Sequence, residues 1–153
     1  MGETRGREDA GGLRRTLLAL LLLGIVGLAA ELLLLEHTES FQQWVPLAVL
    51  GASLACALAV AARPGPRTLR CFQACMALCI VAGVVGLALH LRGNVEWELE
   101  SDPSLRGPAL LWEALHGATP ALAPGALVQL GLLGLALVYR HPALRRHPEP
   151  EKP

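Results

Sequence analysis

LLALLLLGIVGLAAELLLL, residues 17–35, is the stretch that decides the fold. Its 19 residues make a helix of about 28 Å at ~1.5 Å per residue, close to the thickness of a membrane's hydrocarbon core. Three similar runs cover residues 45–62, 71–91 and 121–139. All four are apolar on every side, as helices in contact with lipid must be. We therefore predict an all-α membrane protein, a four-transmembrane-helix bundle within residues 17–139.

The charges are sorted around these four runs. The five polar segments between and beside them hold 4, 0, 3, 2 and 4 Lys and Arg residues in chain order. The first, third and fifth segments have 11 basic and 5 acidic residues, a net charge of +6, whereas the second and fourth have 2 basic and 7 acidic residues, a net charge of −5. Basic segments stay on the cytoplasmic side of a membrane. The pattern predicts a multi-pass protein of the cell (inner or plasma) membrane with both termini in the cytoplasm, in contact with lipid and not with nucleic acid.

The segments outside the spans differ in the secondary structure that their sequences predict. Residues 1–16 and 140–153 are rich in Gly, Arg and Pro, and we predict that these cytoplasmic tails lack fixed structure. In the outer segment, residues 92–120, apolar and acidic residues alternate over positions 95–100, which predicts a short strand. Positions 108–116 then predict a short amphipathic helix in the membrane interface, ended by Gly117. The strand and this helix would form a small extracytoplasmic cap. Pro120 and Pro124 fall in the opening turns of the last span and are expected to bend or delay it.

Carboxylates and imidazoles gather at the predicted outer ends of the spans, where they could bind a divalent metal. The candidate ligands are Glu36, His37, His90, Glu113 and His116. Glu113 and His116 have the i, i+3 spacing of half a carboxylate di-metal site, so a full site needs a second subunit or the Glu36/His37 pair. His37 and His90 could also ligate haem, but the spans hold almost none of the aromatic side chains that wall a haem pocket. The alternative is an acidic surface with interfacial histidines and no cofactor.

Glu31 is a carboxylate inside the first span, about one turn from its outer end. An ionisable residue in a span is costly and is a functional candidate by default. Two interpretations remain open. Glu31 is either a carboxylate that reaches the interface or a group that binds a proton or a cation.

Small residues recur at helical spacing in the second and third spans, which is typical of closely packed membrane helices. Gly51 and Ala55 form one such face, and Cys75, Cys79 and Gly83 form another. We also expect Cys56 to lie at a depth similar to that of Cys75. Thiols on the cytoplasmic side stay reduced, so the cysteines are interpreted as packing residues.

The sequence has no phosphate-binding loop, nucleophile elbow, HExxH sequence or cysteine-based zinc motif. An enzyme is therefore not the leading interpretation. We expect a non-enzymatic interaction or accessory protein with an acidic outer cap, which binds another membrane protein or a second copy of itself. Two other hypotheses are a small ion-coupled transporter that uses Glu31 and the outer carboxylates, and a metal-dependent membrane enzyme that uses the outer Glu/His site.

Overall fold

A computed structural model describes the backbone of residues 2–117 and 119–144 and the side chains of residues 11–117 and 119–144. All regular structure in these ranges is helical. The five α-helices are α1 (Gly2–Leu34), α2 (Phe41–Ala62), α3 (Pro66–Ser101), α4 (Gly107–His116) and α5 (Gly125–Val138), followed by a short 3-10 turn at Pro142–Leu144. Residues 2–16 of the N-terminal tail, predicted to lack fixed structure, are thus helical, whereas residues 145–153 of the predicted C-terminal tail lie outside the described residues.

Three of the helices are long and apolar enough to cross a membrane. They are Gly11–Leu34 of α1, Phe41–Ala62 and Pro66–Ser101. Helix α5 is as apolar but has only 14 residues. Its late start has a local cause, since Pro120 and Pro124 each lead a tight i→i+3 turn before regular α-helix begins at Gly125. This is the delay that the two prolines predict.

The three long helices and α5 form a ring. α1 packs against α2 and α5, and α3 packs against the same two helices from the other side. Apolar side chains from all four fill the centre, among them Leu21, Leu50, Phe72, Met76 and Leu137. Arginines collect at one end of this bundle and carboxylates at the other, and these are called here the basic end and the acidic end. The basic end includes Arg14, Arg15, Arg63, Arg67, Arg70 and Arg140, and the acidic end includes Glu36, Glu39, Glu96, Glu98, Glu100, Asp102 and Glu113, with Arg92 and Arg106 beside them.

The predicted strand at positions 95–100 is wrong, because α3 continues through them to Ser101. Extending an existing helix needs no new nucleus, whereas a lone strand has no partner for its backbone groups. Arg92 and Glu96, one turn apart, also form an ion pair with an Nε–Oε1 distance of 2.8 Å. The alternation of period two is therefore carried by a helix. The other predicted part of the cap, the short helix that ends at Gly117, is present as α4.

Glycines set the contact between α3 and α5. A Cβ on Gly131 would lie 2.5 Å from the carbonyl oxygen of Met76, and a Cβ on Gly83 would lie 2.9 Å from the carbonyl oxygen of Pro124. Both distances are too short for non-bonded atoms, and both involve backbone. The two helices are therefore as close as they are because these positions have no side chain.

Candidate functional site

The five predicted metal ligands are spread over three regions of the acidic end. Glu36, two residues beyond the end of α1, is in the left-handed conformation, with φ 51°, and the backbone N–H groups of Glu36 and His37 donate to the carbonyls of Leu33 and Leu32. His90 is half-buried on α3, and its Nδ1 has no hydrogen-bond partner among the described residues.

Glu113 and His116 are exposed on α4. Nδ1 of His116 lies 2.8 Å from the carbonyl oxygen of Trp112, and the two rings are in contact. In the described part of the chain, no three of these Glu and His residues place their ligand atoms together. A metal site made from them within one chain is therefore not assembled in this structure.

Glu31 is exposed near the C-terminal end of α1. One cleft in the described structure is lined by Arg14 and His141 and another by Gly24 and Leu130, and Glu31 lines neither. Both interpretations of Glu31, an interfacial carboxylate and a group that binds a proton or a cation, therefore stay predictions.

The predicted packing residues separate into two groups. Gly83 and Cys79 are buried, and Cys79 Sγ lies 3.1 Å from the Ser53 hydroxyl of α2. Gly51 and Ala55, in contrast, are exposed on α2. Apart from the adjoining backbone of α2 itself, a Cβ on Gly51 would have no described atom within 4 Å. This second face is thus not used by the bundle itself.

The exposed surface of α2 is made of small residues along most of its length. We call it the small-residue face, and it consists of Ala48, Gly51, Ala52, Ala55, Ala59 and Ala62. Leu58, 52% exposed, lies at its edge, and the exposed aromatic rings of Phe41 and Trp44 stand at its acidic end. The face therefore runs through the apolar length of α2.

The exposed surfaces of α1 and α3 carry bulky side chains among their small ones. On α1 these include Leu20, Leu23 and Val26, and on α3 they include Leu78, Val81 and Val85, all about half exposed or more. Bulky aliphatic side chains suit contact with lipid tails, whereas small residues let another helix backbone approach closely. The small side chains of the small-residue face are of the kind that permits close approach of another helix.

The sequence did not single out Asn94 as a structural residue. Its buried amide donates to the carbonyl oxygens of Ala114 and Thr119, at 2.9 and 2.7 Å, and its Oδ1 accepts from the backbone N–H and the hydroxyl of Thr119, at 3.1 and 2.7 Å. This one side chain ties α3 to the end of α4 and to the turn that precedes α5. Asn94 is the only asparagine in the chain, so a search of the sequence for polar side chains that could be buried and hydrogen-bonded would have included it.

A shallow cleft of about 330 Å³ opens at the basic end between α1, α2 and the end of α5. Its lining includes Arg14, Arg15, Pro64 and His141. Burial, and then the positive charge of Arg14, hold the pKa of His141 below its usual value. The folded protein therefore keeps this imidazole neutral at a pH where the unfolded chain would already protonate it.

This shift predicts a pH dependence of stability. Above about pH 6.5 both states hold a neutral His141, and below it the unfolded chain binds the proton first, so the unfolding free energy should fall as the pH falls. We expect the wild-type protein to lose more stability between pH 7.5 and pH 5.5 than the His141→Gln variant in the same detergent. Equal losses in the two proteins would show that His141 does not contribute.

The long apolar helices and their exposed aliphatic surface define the class of this molecule, a helical membrane protein. Comparison of the chain with protein-family models, with curated proteins and with solved structures found no match.

Proposed function

We propose that this is a four-span protein of the cell (inner or plasma) membrane, with both termini in the cytoplasm, which acts as an accessory protein by binding a transmembrane helix of another membrane protein. The small-residue face of α2 is the docking surface. The single observation that supports this function most strongly is that Gly51 and Ala55 face away from their own bundle.

The ring arrangement supports the fourth span. α5 contacts both α1 and α3 and contributes Leu127, Leu130 and Leu137 to the core. Its 14 residues reach about 21 Å, and the turns from Pro120 to Pro124 extend the apolar segment towards the acidic end. Because α5 completes the core that the other three helices form, we infer that it lies in the membrane with them.

The separation of charge supports the orientation. Arg63, Arg67 and Arg70 stand in and beside the turn between α2 and α3, where the Thr68 hydroxyl lies 2.9 Å from the backbone nitrogen of Gly65. Short basic loops of this kind remain in the cytoplasm. The basic end would then face the cytoplasm and anionic lipid, and the acidic end would face outwards.

The acidic end offers a second contact for a partner. Two hydrogen bonds from Ser104, one from its hydroxyl and one from its backbone N–H, lower the pKa of Asp102, so that this carboxylate stays ionised. Glu98 and Glu100 lie one turn or less before it on α3. We propose that these charges orient a partner with a basic outer segment, because exposed charges affect association rate and specificity more than affinity.

Enlarging the small-residue face tests this function. In the Gly51→Leu/Ala55→Leu variant, leucine replaces two lipid-accessible small residues, so insertion and folding should be preserved while a partner helix is kept away. We expect at least about a tenfold loss of co-purified partner from native membranes in mild detergent, which corresponds to ~1.4 kcal/mol of packing.

Gly27→Leu is the matched control for this experiment. Gly27 is exposed on α1, and a Cβ there also has no described neighbour within 4 Å. It lies on a face that already carries Leu23 and Val26, so the variant should keep its partner. Equal retention by both variants would contradict the proposed docking surface.

A further inference from the structure

Three cysteine side chains from two helices meet near the basic end of the bundle. Cys56 of α2 lies with its sulfur 3.3 Å from that of Cys75 and 3.6 Å from that of Cys71, both on α3. All three sulfur atoms lie within 4.8 Å of one another. Among the described side chains, this is the group of His, Cys, Asp and Glu residues whose ligand atoms converge.

The triangle of sulfurs has the size of a three-coordinate metal site. Given the two short distances and a third of at most 4.8 Å, the point equidistant from the sulfurs lies about 2.0–2.4 Å from each. A metal–thiolate bond is about 2.3 Å long. An ion therefore fits between the three thiolates with little movement of the side chains.

The donor set selects the kind of ion. Three soft thiolates suit Cu(I), whereas Zn(II) and iron–sulfur clusters take four ligands in a tetrahedral arrangement. Cys56 and Cys75 are partly buried between two apolar helices, and Ser53 and Cys79, the next polar pair along this contact, are bonded to each other and fully buried. Among the described His, Cys, Asp and Glu residues, these three cysteines are the ones whose ligand atoms converge, so the site has three sulfur ligands and no fourth ligand of these types.

Access and charge also fit a cation that binds thiolates. Cys71 is exposed and lies in the second turn of α3, which begins at Pro66. Arg70 adjoins it in the chain, and Arg67 lies one turn before it. Their positive charge would offset part of the excess negative charge of three thiolates around one monovalent ion.

We propose that Cys56, Cys71 and Cys75 form a Cu(I) site at the basic end of α2 and α3. One Cu(I) ion binds three thiolates, three protons leave for solvent, and no change of oxidation state is involved. This site is separate from the small-residue face. A cytoplasmic source would supply the ion through Cys71, given the proposed orientation.

Titration of the full-length protein in detergent tests this site. Cu(I) is added anaerobically under reducing conditions against a chromophoric Cu(I) chelator, and affinity and stoichiometry are read from the chelator's absorbance. We expect one Cu(I) per chain and X-ray absorption that shows three sulfur ligands. Cys71→Ser should weaken binding by about 100-fold or more, because even changes beyond the direct ligands cost 10–100-fold.

Cys79→Ser is the matched control, since Cys79 lies on the same helix but bonds to Ser53 and stands outside the group of three. It should bind Cu(I) as the wild type does. Cys71 is exposed, so its replacement does not disturb the core and its variant decides the test even where Cys56→Ser fails to fold. Equal affinity in Cys71→Ser and wild type, or a comparable loss in Cys79→Ser, would overturn the assignment.

Discussion

Replacing Gly131 by alanine is expected to lower the unfolding free energy by about 2–3 kcal/mol, the upper range for overpacking a closely packed interior. A Cβ at this position would lie 2.5 Å from the Met76 carbonyl oxygen and 3.2 Å from the Ile80 backbone nitrogen. Backbone atoms of α3 cannot move away unless the whole helix shifts. Denaturant titration in micelles would measure the loss.

The expected loss of stability is smaller at two other glycines. At Gly24, the atom nearest to a Cβ is the end of the flexible Leu130 side chain, at 2.6 Å, so alanine should cost less there. At Gly27, the described chain has no atom within 4 Å of that Cβ, and alanine should be neutral or stabilising by up to about 1 kcal/mol through helix propensity. A Gly131→Ala variant as stable as Gly27→Ala would show that α3 and α5 do not pack as described.

Replacing Asn94 by leucine is expected to release α4 and the following turn from α3. The variant loses four hydrogen bonds and leaves the Ala114 and Thr119 groups without those partners. At about 0.5–1.5 kcal/mol net for each of the four bonds, the loss is about 2–6 kcal/mol. Hydrogen exchange of residues 107–120 should become markedly faster, while exchange in the centre of α2 stays as in the wild type.

Thr119→Val provides an intermediate case, because it removes only the hydroxyl bond to Asn94 Oδ1. Gly93→Ala, next to Asn94 but with open space in the described structure, should leave exchange unchanged. If residues 107–120 of Asn94→Leu exchange as slowly as in the wild type, then Asn94 does not hold this end of the molecule together.

The membrane helices could be predicted because the thickness of the hydrocarbon core sets the length of the apolar stretch that crosses it. The late start of the last helix could also be predicted, because the effect of Pro120 and Pro124 on the backbone is local and the turns that they begin are present in the structure. The strand at 95–100 was mispredicted for a different reason. A short alternating sequence can form either a strand or part of a helix. Here it forms a helix, because α3 continues through it.

The candidate sites were harder to predict from the sequence, because they depend on which helices pack against one another. The expected similar depth of Cys56 and Cys75 is confirmed, since their sulfurs lie 3.3 Å apart, but the arrangement of all three thiols needs the rotation of α2 and α3 about their axes. In the same way, small residues at i and i+4 indicate a packing face without indicating the helix that it packs on. Gly83 packs inwards on α5, whereas Gly51 faces outwards.

Site-specific photo-crosslinking in native membranes tests the central claim most directly. A photoreactive residue is introduced at Leu58, at the edge of the small-residue face, and in a second variant at Leu23, on the bulky surface of α1. The proposed function predicts one discrete protein adduct from position 58 that disappears when Gly51 and Ala55 are leucine, and no discrete adduct from position 23. Lipid adducts alone at position 58, or the same protein adducts at both positions, would contradict it.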